Sequence, residues 1–181
     1  MVMTVFTLFF YHRYGMSEKQ TGLIYTMFGV IAIVVEGVFF GILSRQLGNR
    51  LLTILGALLL MVSFFLIPLT SRMSMTIALC VMIGLGDSLI TPSLATLLSC
   101  SVDEQWQGSA FGCYQSLGSL ARFFGPVLAG FLLEVPSLSF APTHDAQLLF
   151  WVASGFLFLA FLFSIQLPQT LDHAPAERKL T

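Results

Sequence analysis

Ile77–Cys100, IALCVMIGLGDSLITPSLATLLSC, and Gly108–Leu133, GSAFGCYQSLGSLARFFGPVLAGFLL, decide the fold of this chain. Each is long enough to cross a bilayer, and each carries one charge near its middle, Asp87 and Arg122. A charge at that depth costs roughly 2.5–3.5 kcal/mol on insertion scales, so it normally faces a bundle interior or a water-filled path. Midway between the two lies the polar link Ser101–Gln107, SVDEQWQ. If that link turns a helical hairpin, the two charges lie at equal depth, which permits a salt bridge between them. Charges so placed suit a transport protein and not a soluble core.

Composition points the same way. The chain is 56% hydrophobic and 9% charged, with a mean hydropathy of +0.89, whereas soluble domains carry about 25% charged residues. The 18 phenylalanines occur in every apolar stretch except Met75–Leu97. A net charge of −1 offers no basic footprint for nucleic acid. Cys80, Cys100 and Cys113 have no metal-ligand or redox spacing and read as small membrane-embedded hydrophobes.

A spanning helix needs about 20 residues. The apolar pattern predicts spans at Leu23–Leu43, Leu51–Leu69, Met75–Leu97, Ser109–Leu132 and Gln147–Ile165, separated by the polar links SRQLGNR, TSRMS, CSVDEQWQ and EVPSLSFAPTHDA. No stretch alternates as a membrane barrel strand would. The first ten residues, MVMTVFTLFF, amount to half a span, without the leading positive charge or the small-residue cleavage site of a signal peptide. The chain is therefore expected to begin inside a helix and to be part of a longer protein. Residues 1–167 form one transmembrane bundle in this reading, and 168–181 form a polar tail.

The loop Gly41–Arg50, GILSRQLGNR, resembles the G-x-L-a-D-R-x-G-R-K loop motif of the major facilitator superfamily in its second-half copy. Gly41, Leu43, Gly48 and Arg50 match, while Arg45 and Gln46 stand where the family has aspartate and arginine. In physical terms Gly41 would allow close helix approach, Gly48 would turn the chain, and Arg45 and Arg50 would hold the loop at the cytoplasmic side. Gln107–Gly108, the stretch Gln115–Arg122 and the run Gly125-Pro126-Val-Leu-Ala-Gly130 resemble the eleventh helix of drug:proton antiporters of the tetracycline-resistance type. GPVLAG echoes the antiporter motif G-P-x-x-G-G, with Ala129 in place of one glycine.

The resemblance implies an all-α integral membrane fold with five complete transmembrane helices and the end of a sixth. That is half of a major facilitator fold, built of inverted three-helix repeats. It implies secondary transport of a small molecule by alternating access, with the proton as coupling ion, membrane lipids as surroundings and an N-terminal half as the missing partner. It also places SRQLGNR, SVDEQWQ and the tail in the cytoplasm. The positive charges support this weakly, with Arg45, Arg50, Arg178 and Lys179 inside against Arg13, Lys19 and Arg72 outside.

Gln115, Ser119, Arg122 and Pro126 recur at helical spacing and share a face. That stripe either lines an aqueous cavity or holds Arg122 as a structural bridge to carbonyls or Asp87. Asp87 follows Gly84 and Gly86 and precedes Thr91-Pro92 in a helix that can flex. Its carboxylate is either a reversible proton carrier or half of a permanent ion pair. Glu36, in IAIVVEGVFFGIL, lies about 16 Å from the centre of the SRQLGNR loop at helical rise and is expected within the membrane. It would be protonated, cavity-facing or paired to the missing half, with Gly29, Ala32, Ile33 and Phe40 as helical neighbours.

His12, His144 and His173 share no spacing that would hold a metal, and Trp106 and Trp151 suit membrane interfaces. No G-x-S-x-G elbow, phosphate loop or zinc spacing is present, so neither an enzyme nor a cofactor is expected. A non-transporting receptor or scaffold of the same fold is the second reading, left open by the altered loop at Arg45 and Gln46. A channel is disfavoured, because no ring or filter sequence is visible.

Overall fold

A computed structural model describes residues 6, 7, 10, 11, 14–70, 72–134 and 145–167, with burial given through 128 and again from 149. Among them every regular element is helical and none is a strand. Phe6, Thr7, Phe10, Tyr11 and Tyr14 are helical. Helix α1 (Glu18–Val34) starts where the Gln20 side chain accepts the Ser17 backbone N–H at 3.0 Å, and Glu18 meets the positive end of the helix dipole. A π-helical turn, Val35–Phe39, joins α1 to α2 (Phe40–Leu47). Helix α3 spans Asn49–Leu66 and runs into the 3₁₀ turn Ile67–Leu69. Helix α4 spans Met73–Ser101, α5 spans Gln107–Glu134 and α6 spans Asp145–Ile165.

Each of the five expected spans lies within one of these helical runs. Among the described residues, three runs are long and apolar enough to cross a membrane: Glu18–Leu47, Asn49–Leu69 and Met73–Ser101. A shorter apolar helix, Leu149–Ile165, packs on the second of them. Two expectations need correction. The link SRQLGNR is almost wholly helical, because Ser44–Leu47 complete α2 and Asn49 opens α3. Gly48 alone breaks the run, at φ 79 and ψ 153, a backbone shape open to little but glycine. The span Leu23–Leu43 is interrupted by the π turn, which shifts all spacing counted across Glu36. The tail 168–181, the link at 135–144 and His12, Arg13, His144 and His173 lie outside the described residues.

Helix α3 is the hub. It packs most extensively on α4 and next on α6, while α1 lies on α4. Lipid is as apolar as leucine, so close packing and small residues hold membrane helices together. Gly56 of α3 and Gly86 of α4 meet directly: a Cβ at Gly56 would lie 2.8 Å from the Gly86 carbonyl oxygen. On the other side of α4, a Cβ at Gly84 would lie 3.0 Å from Phe28 and 3.2 Å from Ile31 of α1. Phe6, Phe64 and Phe150 form an aromatic knot with centroids 5.4 to 6.1 Å apart, tying the N-terminal residues to α3 and α6. A smaller core joins Val35, Leu52 and Leu89, with Phe40 and Leu43 half-buried against it.

Helix α5 stands off from this body. It makes sparse contact with α4 and α6, and Leu117, Leu120, Phe123, Phe124, Val127 and Leu128 are all exposed.

Candidate transport pathway

Asp87 is placed by two glycines. Gly84 seats α4 on α1 and Gly86 seats it on α3, and these contacts turn Asp87 to the open side of the helix, where it is exposed. Thr91, four residues on, is exposed as well. Pro92 has no N–H to give the Ser88 carbonyl, so the backbone ladder is weakened directly beneath this polar face. Ser93, fully buried, has a hydroxyl with no hydrogen-bond partner among the described residues.

Gln115, Ser119 and Arg122 lie on α5, and all three are exposed. No hydrogen bond or ion pair joins Arg122 to Asp87 among the described residues. The salt bridge that equal depth would permit is therefore not made in this structure. Equal depth along two helices is necessary for such a bridge but not sufficient, and α5 makes only sparse contact with α4. Gly118, beside this stripe, has open space where its Cβ would be. Gly125 is buried, Pro126 is exposed, and Gly130 lies in the helix beyond the residues with described burial.

Glu36 lies inside the π turn and is exposed. The α-helical spacing that paired it with Phe40 does not hold, because the Phe40 N–H donates to Val35 O, five residues back. Beside it runs an open groove of about 420 Å³ lined by Gly37, Val38, Gly41, Ile42, Arg45 and Gln46. Gly41, expected at a close helix approach, has nothing within 4 Å of its Cβ position.

The loop-motif residues divide into separate tasks. Gly48 makes the turn, and Leu43 packs on the Val35–Leu52–Leu89 core. Arg50 donates from Nη2 to the Ile165 carbonyl at 2.7 Å, a cation at the negative end of α6. That contact spans 115 positions of sequence, and sequence patterning carries no signal for it. Asn49 Oδ1 and Ser164 Oγ, on the residues adjoining Arg50 and Ile165, are buried without hydrogen-bond partners among the described residues.

Three helical runs long and apolar enough to span a bilayer, two of them carrying Glu36 and Asp87, define a multi-pass integral membrane protein. The chain belongs to the Major Facilitator Superfamily, whose profile matches residues 1–180. It is similar to multidrug resistance protein 2 of Bacillus subtilis, 32% identical over 136 residues that cover 73% of this chain and 33% of that protein. It is also similar to major facilitator superfamily domain-containing protein 10 of Mus musculus, at 26% identity over 84% of this chain and 31% of that one. Quinolone resistance protein NorA of Staphylococcus aureus is 24% identical over 84% of this chain and 37% of its own length. The chain thus spans about a third of the length of the curated relatives it matches. No solved structure gives a significant match. Two of these three relatives are drug-resistance proteins, while the narrower tetracycline-type branch rests only on the resemblance at Gln107–Gly108, Gln115–Arg122 and Gly125–Gly130.

Proposed function

We propose that this chain supplies the second half of a transporter that moves small, drug-like molecules across a membrane by alternating access, coupled to protons. In this reading the runs Glu18–Leu47 and Asn49–Leu69 and helices α4, α5 and α6 are five complete spans, and the N-terminal residues end a sixth. A preceding half completes the fold and the pathway, and the tail 168–181 lies in the cytoplasm. The observation that carries the proposal is the exposure of Glu36, Asp87 and Arg122 on helices of a membrane family. Charges so costly in lipid are retained where they face a wet pathway shared with another half. Asp87 is the proton carrier, and Gln115, Ser119 and Arg122 line the substrate side of α5. The likeness to multidrug and quinolone resistance proteins supports a drug-like cargo.

The full-length protein in sealed proteoliposomes should move a quinolone against its gradient when a proton gradient is imposed. The departure at Arg45 and Gln46 from the family loop favours a second reading, a receptor or scaffold without flux. No gradient-dependent movement of any compound in a broad panel would decide for that reading.

A further inference from the structure

Between Glu18 and Leu47 the helix shifts register once, at the π turn Val35–Phe39. Upstream the helix is anchored: Phe28 and Ile31 lie against Gly84, and Val35 is buried with Leu52 and Leu89. Downstream, Phe40 and Leu43 continue the inward face onto that same core. Their immediate predecessors, Phe39 and Ile42, are 48% and 52% exposed. The sequence therefore holds two doublets, Phe39–Phe40 and Ile42–Leu43, each with one member in and one out.

In the π register, Phe40 lies five residues from Val35. In an α register, the position four residues from Val35 is Phe39, and Ile42 follows at the next inward step. Either register offers the core one phenylalanine and one branched aliphatic side chain. Apolar packing thus has little to distinguish the two. A π turn is rare, occurs mostly as a single turn inside an α-helix and is frequent at functional sites. Gly37 within it has nothing within 4 Å of its Cβ position, so the turn has room to rewind.

We infer that Val35–Phe39 is a register switch. Closing the π turn rotates α2 by about 100° relative to α1 and lengthens the run by about 1.5 Å. Phe39 and Ile42 replace Phe40 and Leu43 against Val35, Leu52 and Leu89. Arg45 and Gln46 are carried round the helix axis, while the break at Gly48 spares α3 the same rotation. The inference rests on the transport reading, which makes the switch a step between its two access states.

The test uses the full-length protein in proteoliposomes. Removing Gly37 leaves Phe40 four residues from Val35, so the π turn is lost while the inward face of this structure is kept. The variant should reach wild-type abundance and lose quinolone flux at least tenfold; wild-type flux would overturn the switch. Spin labels at Ile33→Cys and Gln46→Cys, on a background without the native cysteines, report register directly. The intact turn should give two distance populations whose ratio shifts when a proton gradient is imposed, and the deletion should give one. A single unchanging distance with the intact turn also overturns the switch, even if the deletion variant fails to fold. Absence of flux in the wild type would strike the transport reading alone, because the label distances still decide the switch.

Discussion

Gly56 and Gly86 touch backbone to backbone across α3 and α4. A methyl group on Gly56 would lie 2.8 Å from the Gly86 carbonyl oxygen, and one on Gly86 would lie 3.0 Å from that of Gly56. This contact sets the rotation of α4, and through it the side on which Asp87 emerges.

Alanine at either position must therefore push two helices apart. Gly56→Ala or Gly86→Ala should destabilise the bundle by about 1–3 kcal/mol, the usual cost of overpacking. Gly22→Ala and Gly118→Ala, where the Cβ meets nothing within 4 Å, should be neutral or mildly stabilising, by up to about 1 kcal/mol. Thermal unfolding in detergent compares the four; Gly86→Ala melting with the wild type would refute the contact.

Arg50 holds the end of α6 through Ile165. A hydrogen bond to a charged group contributes about 1.5–3 kcal/mol. Arg50→Gln should raise amide hydrogen exchange over the last turn of α6 while leaving α4 protected. Uniform protection in the variant would show that α6 needs no such clamp.

Asp87 and Arg122 make no ion pair, so Asp87→Asn leaves no newly orphaned arginine. In a double-mutant cycle with Arg122→Gln, losses in membrane abundance should add within about 0.3–0.5 kcal/mol. Each single variant should still lose flux. Abundance rescued by the double variant would mean that the two charges meet in another conformer.

Topology is tested on exposed sites. Cysteines at Gln46 and Gln105 should resist an impermeant label applied from outside, and one at Ser74, at the opposite end of α4, should react. The reverse pattern would invert the bundle.

The helices were legible because hydropathy over some twenty residues is a strong signal, and each expected span falls inside a helical run. The one-residue turn at Gly48 was half legible: the glycine was evident, but the polar letters around it concealed that Ser44–Leu47 remain hydrogen-bonded as helix. The π turn was hidden because every position from Val38 to Leu43 except Gly41 is a large apolar residue, so no change of phase appears in the pattern. Asp87 and Arg122 were legible as unusual residues, since their cost in lipid depends on type and depth alone. Whether they meet depends on how α5 packs against α4, which neither the type nor the depth of the two residues encodes.

Gly48 has one further consequence, at the level of the gene. The joint between α2 and α3 is a single residue with a backbone shape reserved for the one amino acid without a side chain. Any substitution in the first or second base of that codon replaces glycine, and every replacement strains the same peptide. A saturation scan should therefore show one intolerant column at position 48, between neighbours that accept several alternatives.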